Sequence, residues 1–191
     1  MIYKFDGRDK NYHSNLMWKT LSSKEIFKHP RLTLIEDEVL LPSGHKTSYL
    51  RYKDDGGCAA TVIAKREDKF LVQREYSYPP DLKLFQFPGG VVLPEEKPEI
   101  GANRELAEEM GFKADHLEPL GSYLIDNRRS AVRMHVYLAD GLNEEELDAD
   151  PEEKEIETFW FSEDEINKMI KNGEIINCHS LASWCLYQNS K

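Results

Sequence analysis

Three glutamates in the middle of this 191-residue chain are spaced for joint chemistry. Glu105, Glu108 and Glu109 stand at i, i+3 and i+4, so a helix through them would put all three carboxylates on one side. Carboxylates packed this closely repel one another unless a cation neutralises them. Hard oxygen donors of this kind suit Mg²⁺, or Mn²⁺ in its place, held partly by protein and partly by substrate phosphate oxygens. Arg104 precedes Glu108 by four residues and could orient it through a bidentate pair. Gly89 and Gly90, just upstream, let backbone approach a metal or phosphate closely. The chemistry such a set could do is cleavage of a phosphoric anhydride. Its negative oxygens repel a nucleophile until cations neutralise them, and a carboxylate must take the proton of the attacking water.

The elements around these residues are readable. Residues 98–110 predict a helix, with Pro98 in its first turn and Gly111 at a left-handed C-terminal cap. Ala102, Leu106 and Met110 give it an apolar stripe. Strands are expected over 31–40 and 46–53, a hairpin turning at Pro42-Ser43-Gly44, and over 58–65, 69–76, 83–87, 119–126, 131–139 and 156–161. Residues 1–30 are polar and mixed, with Trp18 and Phe27 as possible anchors. Ser162 and Glu165 have capping-box spacing and open a helix that stops at Gly173; a last helix lies near 180–188. The pattern is α+β: helices flanking a mixed β-sheet, with an N-terminal β-hairpin extension. The expected division is an extension and dimerisation hairpin over 1–54 and a catalytic domain over 55–191.

Composition narrows the partners. A formal net charge of −10 argues against a nucleic-acid backbone, which needs clustered Lys and Arg. Cys58, Cys178 and Cys185 are odd in number, without metal spacing, and read as reduced thiols. The first residues lack the apolar stretch of a signal peptide, and no run reaches transmembrane length. The expectation is a cytoplasmic protein without membrane contact. The six histidines show no ligand spacing and read as structural or surface residues. Glu95, Glu99 and the acidic run 143–155 read as solvated charge.

From Gly90 to Phe112 the chain reads GVVLPEEKPEIGANRELAEEMGF. Gly90, Glu96, Arg104, Glu105, Leu106, Glu108, Glu109, Gly111 and Phe112 occupy every defined position of the Nudix box, which this stretch resembles. Chance would place such a set on the order of once in a million chains of this length. The resemblance implies the Nudix fold, metal binding by Glu105, Glu108 and Glu109, and support of the helix and its loop by Arg104, Glu96, Gly90 and Gly111.

A weaker likeness spans about residues 25–187 and is similar to the ADP-ribose and nucleotide-sugar pyrophosphatase branch of that family. It rests on the hairpin, Tyr76-Ser77-Tyr78-Pro79, the Phe87 to Gly90 lead, the acidic segment 150–157 and the closing helix. It implies homodimerisation through the hairpin and a metal ligand in the Gly89 carbonyl. It also implies a loop glutamate that activates water; Glu153 and Glu155 flank the matching Lys154, and Glu108 in the box is the competing base. Ser77 stands where the branch often has Arg, and Gln86 where it often has Glu. Arg128 and Arg129, and Arg74, could supply the positive charge for substrate. The expected reaction is hydrolysis of a small nucleoside diphosphate sugar to a nucleoside monophosphate and a sugar phosphate. Another nucleotide substrate (a triphosphate, dinucleotide or coenzyme) and a sensor that binds nucleotide without turnover are the alternatives.

Overall fold

Ile35, Asp37 and Val39 are buried at alternate positions of one strand, which defines the inner face of the N-terminal sheet. The computed structural model describes residues 17–53, 56–145 and 155–191. Strands β1 (Lys19–His29), β2 (Leu32–Leu40) and β3 (Lys46–Tyr52) form a three-stranded antiparallel sheet in that order. Asp37 ties the three strands together. Ser23 Oγ donates to its Oδ1 and Arg51 Nε to its Oδ2, both at 2.6 Å. The Arg51 bond outweighs burial and holds this carboxyl below its ordinary value. Strand β1 is a correction to the sequence reading. Its residues are exposed throughout and show no apolar alternation, so pairing with β2 makes it a strand, not its own pattern.

The chain divides into two compact units. One falls within Met1–Asp55 and takes in Asp126–Ser130; the other comprises Gly56–Ile125 and Ala131–Lys191. The short internal segment is bound to β3: Tyr52 N–H donates to Arg129 O at 2.8 Å, and Tyr49 Oη to Arg128 O at 2.7 Å.

The second unit holds β4 (Cys58–Arg66), β5 (Lys69–Ser77), β6 (Leu82–Gln86), β7 (Gly89–Val91), α1 (Pro98–Met110), β8 (Phe112–Leu124), β9 (Arg133–Glu144), β10 (Glu157–Ser162), α2 (Glu163–Asn172) and α3 (Cys178–Gln188). The sheet runs β10-β5-β4-β9-β8, with β6 on β5 and β7 on β4. Among the described residues β4 and β9 pair in parallel and the other pairs are antiparallel, so the sheet is mixed. One face packs Ala60, Val62, Ala64 and Leu71 against Ala102, Leu106 and Met110 of α1. The other packs Ile63, Phe70 and Val72 against Ile166 and Met169 of α2 and Trp184 and Tyr187 of α3. Helices therefore cover both faces. The expected strands 119–126 and 131–139 are longer in the structure, as β8 and β9. Of their added residues, Phe112–His116 pair with Asp140–Glu144, and in these stretches exposed polar and charged positions outnumber the one buried residue, Ala114, which hides a strand in the sequence. Among the described residues no helix is long and apolar enough to cross a membrane.

One departure from a regular sheet positions the rest. Strands β4 and β5 pair only at their hairpin end, Lys65 with Phe70 and Arg66 with Lys69. Beyond it they part, β6 joining β5 and β7 joining β4. The Phe87-Pro88 link between β6 and β7 sits in this opening. Val62 N–H and Thr61 Oγ1 both donate to Pro88 O at 2.9 Å.

Candidate active site

Helix α1 starts without a side-chain cap at Lys97, carries Pro98 in its first turn, and ends at Gly111 in the left-handed region (φ +72). Its buried stripe fixes which side faces the sheet. Asn103 fixes the roll further by bracketing Ala114 of β8: Nδ2 donates to Ala114 O at 3.0 Å and Oδ1 accepts Ala114 N–H at 2.8 Å.

Arg104 gathers the acidic side chains. Its Nη1 lies 2.6 Å from Glu108 Oε2 and 2.9 Å from Glu105 Oε1. Its Nε lies 3.3 Å from Glu96 Oε1, and its Nη2 donates to Val91 O at 3.0 Å. The sequence suggested a bidentate pair with Glu108; the structure instead spreads the guanidinium over three carboxylates and a carbonyl. Burial opposes the charge on Arg104, yet the bond to Glu96 and the fields of Glu105 and Glu108 leave its pKa raised. Burial likewise works to raise the Glu96 carboxyl, but the Leu93 amide and Arg104 outweigh it and hold the group below its ordinary value.

Gly89 and Gly90, where the chain enters the box, are closely packed, Gly89 against backbone and Gly90 against a side chain. A Cβ on Gly89 would lie 2.3 Å from Ala60 O, and one on Gly90 would lie 2.6 Å from the Glu105 carboxyl atoms. Gly89 N–H donates to Glu109 Oε2 at 2.8 Å. Gly101 has the same kind of role: a Cβ there would meet Glu96 Oε2 at 2.9 Å. Gly101, Asn103 and Thr61 were not singled out in the sequence. A glycine inside a predicted helix was the one available signal; the other two depend on partners distant in sequence.

Glu96, Glu105, Glu108 and Glu109 against Arg104 are four carboxylates and one guanidinium, a formal excess of three negative charges. That charge and an all-oxygen donor set fit a hard divalent cation. Among the described residues no three acidic, histidine or cysteine side chains stand together at metal-holding distance; Glu108 is turned to Arg104 and Glu109 to the Gly89 amide.

The remaining sequence candidates are dispersed. Arg74 shares a sheet face with Val72 and Phe70, two and four residues away, and so lies on the α2–α3 side, opposite α1. It pairs with Glu157 at 2.6 Å and lies 5.5 Å from the ring centres of Phe85 and Phe159. The bonds from Arg74 and Lys83 draw Glu157 down to about 2. The structure does not bring Arg74 to the box carboxylates. Arg128 and Arg129 belong to the unit of the N-terminal sheet, where Arg129 Nη1 donates to Leu50 O at 3.3 Å. Glu155 is exposed. Glu153 lies outside the described residues.

Comparison with known proteins places the chain in a family. The family model described as NUDIX domain matches residues 57–178, and one described as nucleoside diphosphate sugar hydrolase N-terminal domain matches residues 18–49. The chain is similar to the methanol dehydrogenase activator of Bacillus methanolicus, 29% identical over 158 residues and covering 82% of this chain and 85% of that protein. It is also similar to an ADP-ribose pyrophosphatase of Bacillus subtilis strain 168, 26% identical over 159 residues with the same two coverages. A crystal structure titled ADP compounds hydrolase superposes with a TM-score of 0.86 at 19% identity, covering 92% of this chain and 95% of that one. At that identity the superposition speaks for the fold alone.

Proposed function

This chain belongs to the Nudix family, and on that premise we propose that it hydrolyses the pyrophosphate link of a nucleoside diphosphate sugar of the ADP-ribose kind. It is a Nudix pyrophosphohydrolase; the proposal concerns its substrate, its metal and its working residues. The observation that carries it is the set of four box carboxylates, three gathered on Arg104 and the fourth, Glu109, on the Gly89 amide. The choice of substrate is supported by the match of residues 18–49 to a nucleoside diphosphate sugar hydrolase N-terminal domain, and by the name of the Bacillus subtilis relative.

Glu105, Glu108 and Glu109, with the Gly89 carbonyl, would hold Mg²⁺, with Mn²⁺ as a substitute. Bound there, the cation supplies neutralisation of the pyrophosphate oxygens and a more acidic water. Arg104 holds Glu105 and Glu108 in fixed rotamers and, through Glu96, the loop ahead of the helix. Gly89 and Gly90 leave room for backbone and carboxylate to meet without an intervening side chain. A carboxylate takes the proton from the attacking water, and we place that base among Glu108, Glu153 and Glu155. Products are a nucleoside monophosphate and a sugar phosphate. Arg128 and Arg129 are proposed to meet the substrate. Arg74, already paired with Glu157, is the weakest substrate contact of the three.

The test is an assay of ADP-ribose, other nucleotide sugars, dinucleotides and triphosphates with Mg²⁺, reading the phosphate-containing products. Nucleotide-sugar turnover well above the other classes is expected, and it should stop in excess chelator. Turnover undiminished by chelator would reject the metal assignment, and tight nucleotide binding with no product would identify a sensor. Single Gln substitutions at Glu108, Glu153 and Glu155 then locate the base. Its loss should cost about 10²–10⁴ in kcat with little change in metal affinity.

A homodimer through the N-terminal sheet goes with this reading. Ile26, Phe27, Leu32 and Leu50 are large apolar side chains exposed on a three-stranded sheet, and Trp18, exposed as well, stands just ahead of it. Small sheets need a surface to bury against. Light scattering should give about twice the 22.2 kDa chain mass, and a monomer at micromolar concentration would reject it. A cytoplasmic location accords with free thiols at Cys58, Cys178 and Cys185.

A further inference from the structure

The first turn of α3 grips the backbone that leads into the box. Asn177 is the N-cap residue: its Oδ1 accepts Ser180 N–H at 2.8 Å. The same side chain turns its Nδ2 outward and donates to Phe85 O at 2.8 Å. Ser180 Oγ, 2% exposed as a residue, accepts Phe87 N–H at 3.2 Å. One turn on, the Trp184 ring stacks on Phe87, with centroids 5.8 Å apart and planes 18° apart. So alternate backbone groups of residues 85–87, on the edge of β6 not paired to β5, are held by two side chains three residues apart.

Beyond Phe87 the chain enters the link that reaches the candidate site. Pro88 O is held by Val62 and Thr61 of β4, and Gly89 N–H is bonded to Glu109. A continuous series of short contacts therefore runs from α3, on one side of the sheet, to a carboxylate of α1 on the other. We infer that Asn177 and Ser180 are positioning residues that set the place of the Gly89 backbone against Glu109. This rests on the reading of Glu109 and Gly89 as metal-holding groups. It differs from a merely structural cap because the Nδ2 bond to Phe85 contributes nothing to capping.

The cap and the clamp can be separated. Asn177→Asp keeps an acceptor for Ser180 N–H, and Asp caps as well as Asn, but it has no donor for Phe85 O. Ser180→Ala removes the acceptor for Phe87 N–H and serves as the second variant should the first fold poorly. Ser162→Ala, which strips the capping box of α2, is the control for plain loss of stability. Three readouts are taken on the full chain: Mn²⁺ affinity by calorimetry, kcat and KM in Mg²⁺, and amide exchange of the peptide covering residues 85–91.

Asn177→Asp should weaken Mn²⁺ binding and lower kcat about 10-fold, in line with outer partners of a metal site. KM should change little, and exchange in 85–91 should rise. Ser180→Ala should do the same, while Ser162→Ala lowers Tm and leaves all three readouts as in the parent. If both α3 variants keep the parent's Mn²⁺ affinity, kcat and exchange, the clamp is overturned while the metal reading stands. A parent chain that binds no Mn²⁺ would overturn the metal reading, and the clamp's role with it.

Discussion

Glu109→Gln should fold as the parent chain does and lose at least about 10² of its kcat, since even outer partners of a metal site cost 10–100-fold. Glutamine is nearly isosteric with glutamate and keeps an oxygen for the Gly89 N–H, 2.8 Å away in the parent. The local geometry therefore has a partner in the variant. What is lost is one negative charge from a site whose three other carboxylates share a single guanidinium. Without metal that loss relieves repulsion, so the metal-free Tm should be no lower than the parent's. With Mn²⁺ the sign reverses: the parent gains Tm on addition of the ion and the variant gains less. Parent-like turnover in the variant would remove Glu109 from the working set. A collapsed metal-free Tm would instead show that its role is structural.

Arg104→Ala should cost stability and activity together. The guanidinium meets Glu96, Glu105, Glu108 and the Val91 carbonyl, and its side chain is 23% exposed. Removing it leaves carboxylates in partial burial without their cation, a loss of about 3 kcal/mol. For a chain of this length that is a fall in Tm of about 6–12 °C. Arg104→Lys should recover little, because an ammonium on a single stem cannot reach three carboxylates and a carbonyl at once. The pH dependence has a definite sign. The folded-state Glu96 carboxyl lies below its ordinary 4.5, so its contribution is full above that pH and is lost as pH falls through the folded value. The gap between parent and Arg104→Ala should be widest near neutrality and narrow below pH 4.5. A gap that stayed constant into acid would show that the ion pairs are not what Arg104 contributes. Thermal melts at a series of pH values, with kcat measured at neutrality, read both effects.

The elements that carry the candidate site were legible wherever they depended on residues close in sequence. Glu105, Glu108 and Glu109 share a side because a helix repeats every 3.6 residues, and the structure has that helix at Pro98–Met110. The capping box at Ser162 and Glu165 is likewise a four-residue event, and both of its hydrogen bonds are present. The Gly111 stop follows from the ease with which glycine takes a positive φ. Tertiary structure decided everything that needs a partner from elsewhere. Lys19–His29 became a strand by pairing with β2, although its own residues carry no apolar alternation. Residues 126–130 joined the N-terminal unit because their carbonyls accept bonds from β3, some 75–80 positions away. Arg74 went to the α2–α3 face because side chains on a strand alternate and Val72 is anchored there. Gly89 met Glu109 because β4 and β5 part and leave an opening for the chain between β6 and β7. Short-range periodicity places donors on one side of one element. Which second element they face is set by sheet pairing and burial, and those are properties of the whole chain.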